Sequence, residues 1–346
     1  MKKSISFLLV LLISCGLFLS ACNSQPSVGT PAEPVAETKI INMDILQTEG
    51  APIYMGAVKF GELVNEYTEG RYEIAVFTNC ALGNGSQGTS TEMVQKGTLD
   101  MVATSFNLFV SSEPSFQLLN LPWLIPGNDF IDTNMVYGAD LYGVLDEMLQ
   151  KSNVKMLCIG ELGWRAFSNN VRSVSSPADM AGLKVRAIDA TTIEMMNSLG
   201  ANPINIDFGE LYTSLQLGAC DGQLNPVAGI IVPNRFYEVQ DYLTVWDCVY
   251  TGLPFSMNLD LWNSFSESDK DAFQRAANEA VAYQKEVNRA ALVDAIKVCE
   301  DNNMEIVYPS AAQKAEFQAK VEHMYDKYYA ESDENFVRVF KAALGN

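Results

Sequence analysis

Residues 163–226, GWRAFSNNVRSVSSPADMAGLKVRAIDATTIEMMNSLGANPINIDFGELYTSLQLGACDGQLNP, set short apolar runs against capped helices in strand–helix–strand order. Leu183 to Ile188 alternates as a strand, with Leu183, Val185 and Ala187 on one face and Lys184, Arg186 and Ile188 on the other. Asp189 can cap the next helix, which carries Ile193, Met196 and Leu199 and stops at Gly200. Pro203 to Ile206 reads as a second strand. Asp207 and Glu210 then have capping-box spacing ahead of a helix striped with Phe208, Leu211, Tyr212 and Leu215 and ending at Gly218. Asp221 to Asn225 is a further strand, halted by Pro226. This alternation predicts an α/β fold.

The same stretch holds Arg165, Arg172 and Arg186 in a chain of net charge −19. Arg186 falls near the end of a strand and just before a helix N-terminus, the place where open α/β sheets bind ligands. Free N–H groups and positive potential at that terminus favour an anion. Arg165 follows the apolar run Val154 to Ile159, and Asn225 ends another strand. A guanidinium grips a carboxylate through two parallel hydrogen bonds, which fixes geometry as well as charge. The stretch therefore reads as the anion-binding half of a ligand cleft.

Upstream, the chain opens with MKK, an apolar run from Ile5 to Leu19, and Leu19-Ser20-Ala21-Cys22. A basic start, a short apolar core and small residues before a cysteine predict a bacterial lipoprotein leader with Cys22 lipidated. The alternative is an ordinary secretory leader with an incidental cysteine. Residues 23–39 are polar and proline-bearing, a tether rather than a core element. The rest is long for a single core, so two lobes are expected.

Between the tether and residue 163, Ile40 to Leu46 reads as a strand and Ala51 to Tyr67 as a helix. Tyr72 to Phe77 is a second strand, Thr89 to Lys96 a helix and Leu99 to Thr104 a third strand. Asp129 to Gln150 reads as one helix and Val154 to Ile159 as one buried strand. Gly83-Asn84-Gly85-Ser86-Gln87-Gly88 fits GxGxxG, but Thr78 to Leu82 separate it from its strand and the downstream acids Glu92 and Asp100 come too early for a dinucleotide site. A glycine-rich loop without nucleotide is the better reading. Beyond residue 226, Tyr242 to Trp262 is mostly extended. Ser266 then opens a helical run of more than thirty residues with neither Pro nor Gly, ending near Asn303. At 1.5 Å per residue it spans about 50 Å, enough to lie across two lobes. Ile306 to Tyr308 and two amphipathic helices finish the chain.

The acidic balance argues against a nucleic-acid partner. A single histidine, His323, leaves triads and His-rich metal sites without their parts, and GxSxG and P-loop motifs are missing. Cys80, Cys158, Cys220, Cys248 and Cys299 are widely spaced, odd in number and mostly set in apolar runs, which reads as buried thiols rather than a disulfide framework or zinc site. Catalysis, a cofactor and a metal are all unsupported.

In this setting FGELVNEYTEGRYEIAVF, GTLDMVATS, LLNLPWLI, EVQDYLT and above all the 163–226 block resemble the solute-binding proteins of tripartite ATP-independent periplasmic (TRAP) transporters, the DctP family. The resemblance implies a type II periplasmic-binding-protein fold: two α/β lobes around a ligand cleft, with a long hinge-spanning helix. Lobe I would take residues 40–162 and 251–290, and lobe II residues 163–250 and 291–346. Arg186 is similar to the family's main carboxylate-binding arginine, Arg165 to its second arginine, Asn225 to its ligand-contacting asparagine and Phe208 to the aromatic that packs on the ligand. Arg172 matches a position with a structural role. Glu49, Asn79 and Asn107 are expected as polar contacts from the first lobe. The implied function is capture of a small organic acid (a C4-dicarboxylate, sugar acid or keto acid) by a monomeric, lipid-anchored receptor at the cell envelope, and delivery to membrane TRAP subunits. Alternatives are a lipoprotein sensing ligand for a membrane kinase and a secreted NAD-type oxidoreductase.

Overall fold

The computed structural model describes residues 38–345. The leader, the lipidation site Cys22 and the tether as far as Glu37 lie outside the described residues, and Lys39, expected within the tether, opens the first strand.

The first half builds a mixed sheet layered with helices. In chain order come β1 (Lys39–Ile45), α1 (Pro52–Tyr67), β2 (Tyr72–Phe77), α2 (Gln87–Gln95) and β3 (Met101–Ala103). β1 lies between β2 and β3, parallel to both. Helices α3 (Asn128–Asn134) and α4 (Asp140–Gln150) then replace the single helix expected over 129–150. Gly138 takes φ +91 between them, and Asp140 restarts the helix in its first turn. α3 has already ended at Asn134, and the turn that follows uses a left-handed residue, a conformation glycine adopts at no steric cost.

β4 (Val154–Asn169) is the organising strand. It runs sixteen residues, far past the predicted end at Ile159, and carries Trp164 and Arg165 inside the strand rather than after it. Its first part pairs antiparallel with β9 (Tyr250–Asn258), which joins it to β3. Its last part, from Arg165, pairs with β7 (Gly222–Pro226) and with β8 (Tyr242–Thr244). Beyond β7 lie β5 (Lys184–Arg186) and β6 (Asn202–Ile204), parallel to one another, and β8 is flanked by β10 (Glu305–Val307). Helices α5 (Ala190–Ser198) and α6 (Phe208–Gln216) follow β5 and β6. One strand thus belongs to two sheets.

β4 keeps that course by two register shifts, at Met156/Cys158 and Glu161/Gly163, where Gly163 takes φ +102. Irregular pairing leaves backbone groups seeking partners, and these are supplied by the long helix α8 (Glu267–Asp301), after the short α7 (Leu259–Asn263). Gln274 Nε2 donates to Leu157 O at 2.7 Å. The fully buried Gln284 accepts from Glu161 N and donates to Glu161 O, both at 2.8 Å. Gly56 on α1 makes room for it: a Cβ there would stand 2.6 Å from Gln284 Cγ. Ser266 caps α8, its Oγ accepting from Asp269 N at 3.1 Å, as the sequence predicts.

The chain ends in three helices rather than two, α9 (Ala311–Val321), α10 (His323–Glu331) and α11 (Glu334–Ala343). Asp333 caps the last, its Oδ1 accepting from Phe336 N. The five described cysteines are free and buried. Burial pushes their thiols up, to about 12 at Cys80, Cys248 and Cys299.

Candidate functional site

The glycine-rich loop between β2 and α2 is occupied by the protein's own carboxylate. Asp44, fully buried on β1, accepts from Ser90 Oγ at 2.6 Å and from Gly83 N at 3.2 Å. A Cβ on Gly83 would fall 2.1 Å from Ser90 Oγ, so glycine is required there. Turn amides that would cradle a phosphate in a nucleotide loop instead hold Asp44, which supports the reading without nucleotide. The second half of the motif, Gly85 to Gly88, runs into the start of α2 and forms part of the mouth of a cleft.

The cleft has an inner chamber of about 70 Å³ and an outer one of about 930 Å³ that share Arg186, Phe208, Gln87 and Asn107 as wall. Arg186 ends β5. The strand's fixed register carries it in, and its Nε donates to Ile206 O at 2.9 Å, leaving the two terminal nitrogens without a hydrogen-bond partner among the described residues. Its guanidinium carbon stands 5.7 Å from the centre of the Phe208 ring, the first residue of α6. Arg186 is 8 % exposed; burial, and secondarily Arg165, pull its guanidinium down to about 10, so it remains charged at neutral pH.

Arg165 and Asn225 arrive together because β4 pairs with β7, Ala166 lying opposite Asn225. The Arg165 Nε donates to Thr251 Oγ1 at 2.9 Å and an Nη to Asn120 Oδ1 at 3.3 Å, both neutral acceptors. The Asn225 amide nitrogen donates to Gln223 Oε1, which turns its oxygen to the remaining space. The inner lining contains both arginines and no carboxylate, whereas Asp189, Asp207 and Glu210 stand in the outer wall.

Of the residues expected at the site, Arg186, Arg165, Asn225, Phe208 and Asn107 line the inner chamber, and Asn79 reaches only the outer one. Glu49 sits exposed in the turn before α1 and lines neither chamber. Arg172 is exposed, its backbone N–H held by Asn169 Oδ1. Asp207 occupies an N-cap position without a side-chain cap bond, so the expected capping box does not form there. Gln87, Ser105, Thr192 and Thr251 also line the inner chamber, and Asn120 braces Arg165 from behind. No local pattern marks these residues as ligand contacts; Thr251 is brought in by the pairing of β9 with β4.

Comparison with known proteins identifies the family. Residues 44–332 match the bacterial extracellular solute-binding proteins of family 7, DctP. The 2,3-diketo-L-gulonate-binding periplasmic protein YiaO of Escherichia coli (strain K12) is 29% identical over 248 residues, 70% of this chain and 74% of that protein. The sugar acid binding protein DctPAm of Advenella mimigardefordensis strain DPN7T, solved with galactonate, superposes with a TM-score of 0.82 at 26% identity, covering 89% of this chain and 99% of that one. A TRAP periplasmic solute binding protein of Sulfurospirillum deleyianum DSM 6946, solved with succinate, gives 0.78 at 26% identity over 88% and 98%. The shared type II architecture and the match along nearly the whole described chain lead to one conclusion: this protein belongs to family 7 of the bacterial extracellular solute-binding proteins, the DctP family of TRAP transport.

Proposed function

We propose that the protein captures a small organic acid between two lobes and delivers it to the integral membrane subunits of a TRAP transporter. One observation carries this reading: in a chain of net charge −19, two guanidiniums face a chamber whose lining has no carboxylate to neutralise them. An external anion supplies the missing charge. Arg186 is the principal grip, offering its two free terminal nitrogens to one carboxylate. Arg165 adds the second positive charge, Asn225 a polar contact and Phe208 an apolar face. Asn107 and, from the rim, Asn79 meet the ligand from the opposite wall.

Lobe I comprises residues 40–162 and 251–290, and lobe II residues 163–250 and 291–346. The passage of β4 between two sheets and the span of α8 support this division. Ligand contacts made only in the closed state shift the population towards closure, and expulsion of water strengthens the ion pair. The protein acts as a monomer without catalysis or cofactor, held at the envelope by lipid on Cys22. A C4-dicarboxylate, a sugar acid or a keto acid satisfies the carboxylate requirement.

A thermal-shift screen against an organic-acid panel tests the reading. A ligand that stabilises the wild type is expected to lose about 2–5 kcal/mol of binding in Arg186→Ala, tens to thousands-fold in affinity, with the unliganded fold intact. A shift unchanged by that substitution overturns it.

A further inference from the structure

Beside the inner chamber, and sharing Ser105 and Thr251 with it, lies a small compartment lined also by Asn120 and Tyr250 among apolar side chains. Its volume is about 10 Å³, the room of a single oxygen-sized group. Asn120 is 7 % exposed, and its Nδ2 has no hydrogen-bond partner. The amide orientation follows from its neighbour: Arg165 is donor-only, so the Asn120 oxygen faces the guanidinium and the NH₂ group faces away. A buried donor without an acceptor is costly to maintain, and it calls for an oxygen.

The same polarity recurs along that wall. The Asn107 oxygen accepts from Ser105 Oγ, and the Gln87 oxygen from Thr104 Oγ1 at 3.4 Å. Thr251 Oγ1 receives the Arg165 Nε and keeps its own hydroxyl proton. Asn107, Gln87, Asn120 and Thr251 therefore offer uncharged donors, and Asn225 offers the facing acceptor. Arg165 adjoins this wall through Asn120 and Thr251, and its charge also weakens Arg186's hold on its proton. The compartment at Asn120 has room for one oxygen and not for the two of a second carboxylate.

We propose that this wall, with Asn120 at its deepest point, selects an acid with one carboxylate whose remaining oxygens are hydroxyl or keto groups, in preference to a dicarboxylate or an alkyl carboxylate. The inference rests on the carboxylate-receptor reading above. It makes Asn120 a specificity-determining residue, which donates to a ligand oxygen while its own oxygen keeps Arg165 in place.

Calorimetric titration with carbon-matched acids separates the possibilities: gluconate, 2-ketogluconate, adipate and hexanoate, and at four carbons erythronate, succinate and butyrate. The expected result is an oxygen-rich monocarboxylate binding on the order of a hundredfold more tightly than its dicarboxylate and alkyl counterparts. Asn120→Leu, with its unliganded melting temperature checked, removes the brace on Arg165 as well as the donor, and is expected to weaken the oxygen-rich acid about tenfold more than the alkyl acid, so that the ratio between them falls. An equal loss for both acids would mean that Asn120 only braces Arg165 and would overturn its assignment as a donor to the ligand. Tighter, Arg186-dependent binding of adipate, succinate or an alkyl acid overturns the selectivity and leaves the receptor reading standing. Binding of no acid in either series overturns both.

Discussion

Two clusters of buried or half-buried cations lie along β4, and they have opposite partners. In the cleft, Arg165 and Arg186 meet only neutral acceptors from the protein. Where β4 crosses α8, Arg289 donates to both oxygens of Glu161 and of Asp132, and Lys285 stands 3.7 Å from Asp132. Glu161, 2 % exposed, also accepts from Asn288 Nδ2 at 3.2 Å and from the Tyr250 hydroxyl at 3.3 Å. Arg289 is held above its ordinary range by those carboxylates, and Arg186 below it by burial and by Arg165. One cluster is complete within the chain. The other is left open for something from outside.

The contrast can be broken at the closed cluster first. Glu161→Ala removes a buried carboxylate and strands Tyr250, Asn288 and part of Arg289, at a cost of about 3–5 kcal/mol. Denaturant unfolding should report that loss whether or not ligand is present. The open cluster should respond with the opposite sign. Arg186→Met replaces an unneutralised buried cation with an apolar chain and is expected to raise the stability of the unliganded protein by about 1 kcal/mol while eliminating ligand-induced stabilisation. A fall in unliganded stability would show that the protein neutralises Arg186 after all.

Acid titration sharpens the comparison further. The hydrogen bonds from Arg289 hold Asp132 below its ordinary value, partly offset by desolvation. A depressed carboxylate stabilises above its unfolded value near pH 4 and loses that contribution as the pH falls through the folded one. Asp132→Asn should therefore flatten the stability curve below about pH 4, by about 1 kcal/mol or less because the side chain is 45% exposed. Arg186, protonated up to about pH 10, should leave ligand affinity flat from pH 5 to 9.

Much of this was legible in the residues. The alternation of strands and helices, the Ser266 cap on α8 and the place of Arg186 at a strand end follow from local pattern, and local pattern is what a sequence states most directly. Gly160 and Gly163 read as the end of a strand, because glycine weakens one. In the fold they are tolerated within β4 because α8 reaches the irregular backbone through Gln274 and Gln284, more than a hundred residues away in the chain. Arg165 was visible as a cation but not as part of β4. Asn120 and Thr251 gave no signal, since each acquires meaning only from a guanidinium brought to it by tertiary pairing. The Asp207–Glu210 spacing gave a false one: both side chains face the outer cleft instead of closing the cap.

The sharing of β4 also bears on how the molecule melts. A two-lobed protein joined by flexible connections can lose one lobe while the other survives, giving two heat-absorption peaks. Here a single strand supplies ladder hydrogen bonds to both sheets, and α8 is bonded to its irregular points. Neither half can come apart without exposing backbone that the other depends on. Calorimetry on this chain should accordingly give one transition, with the van't Hoff enthalpy equal to the measured heat.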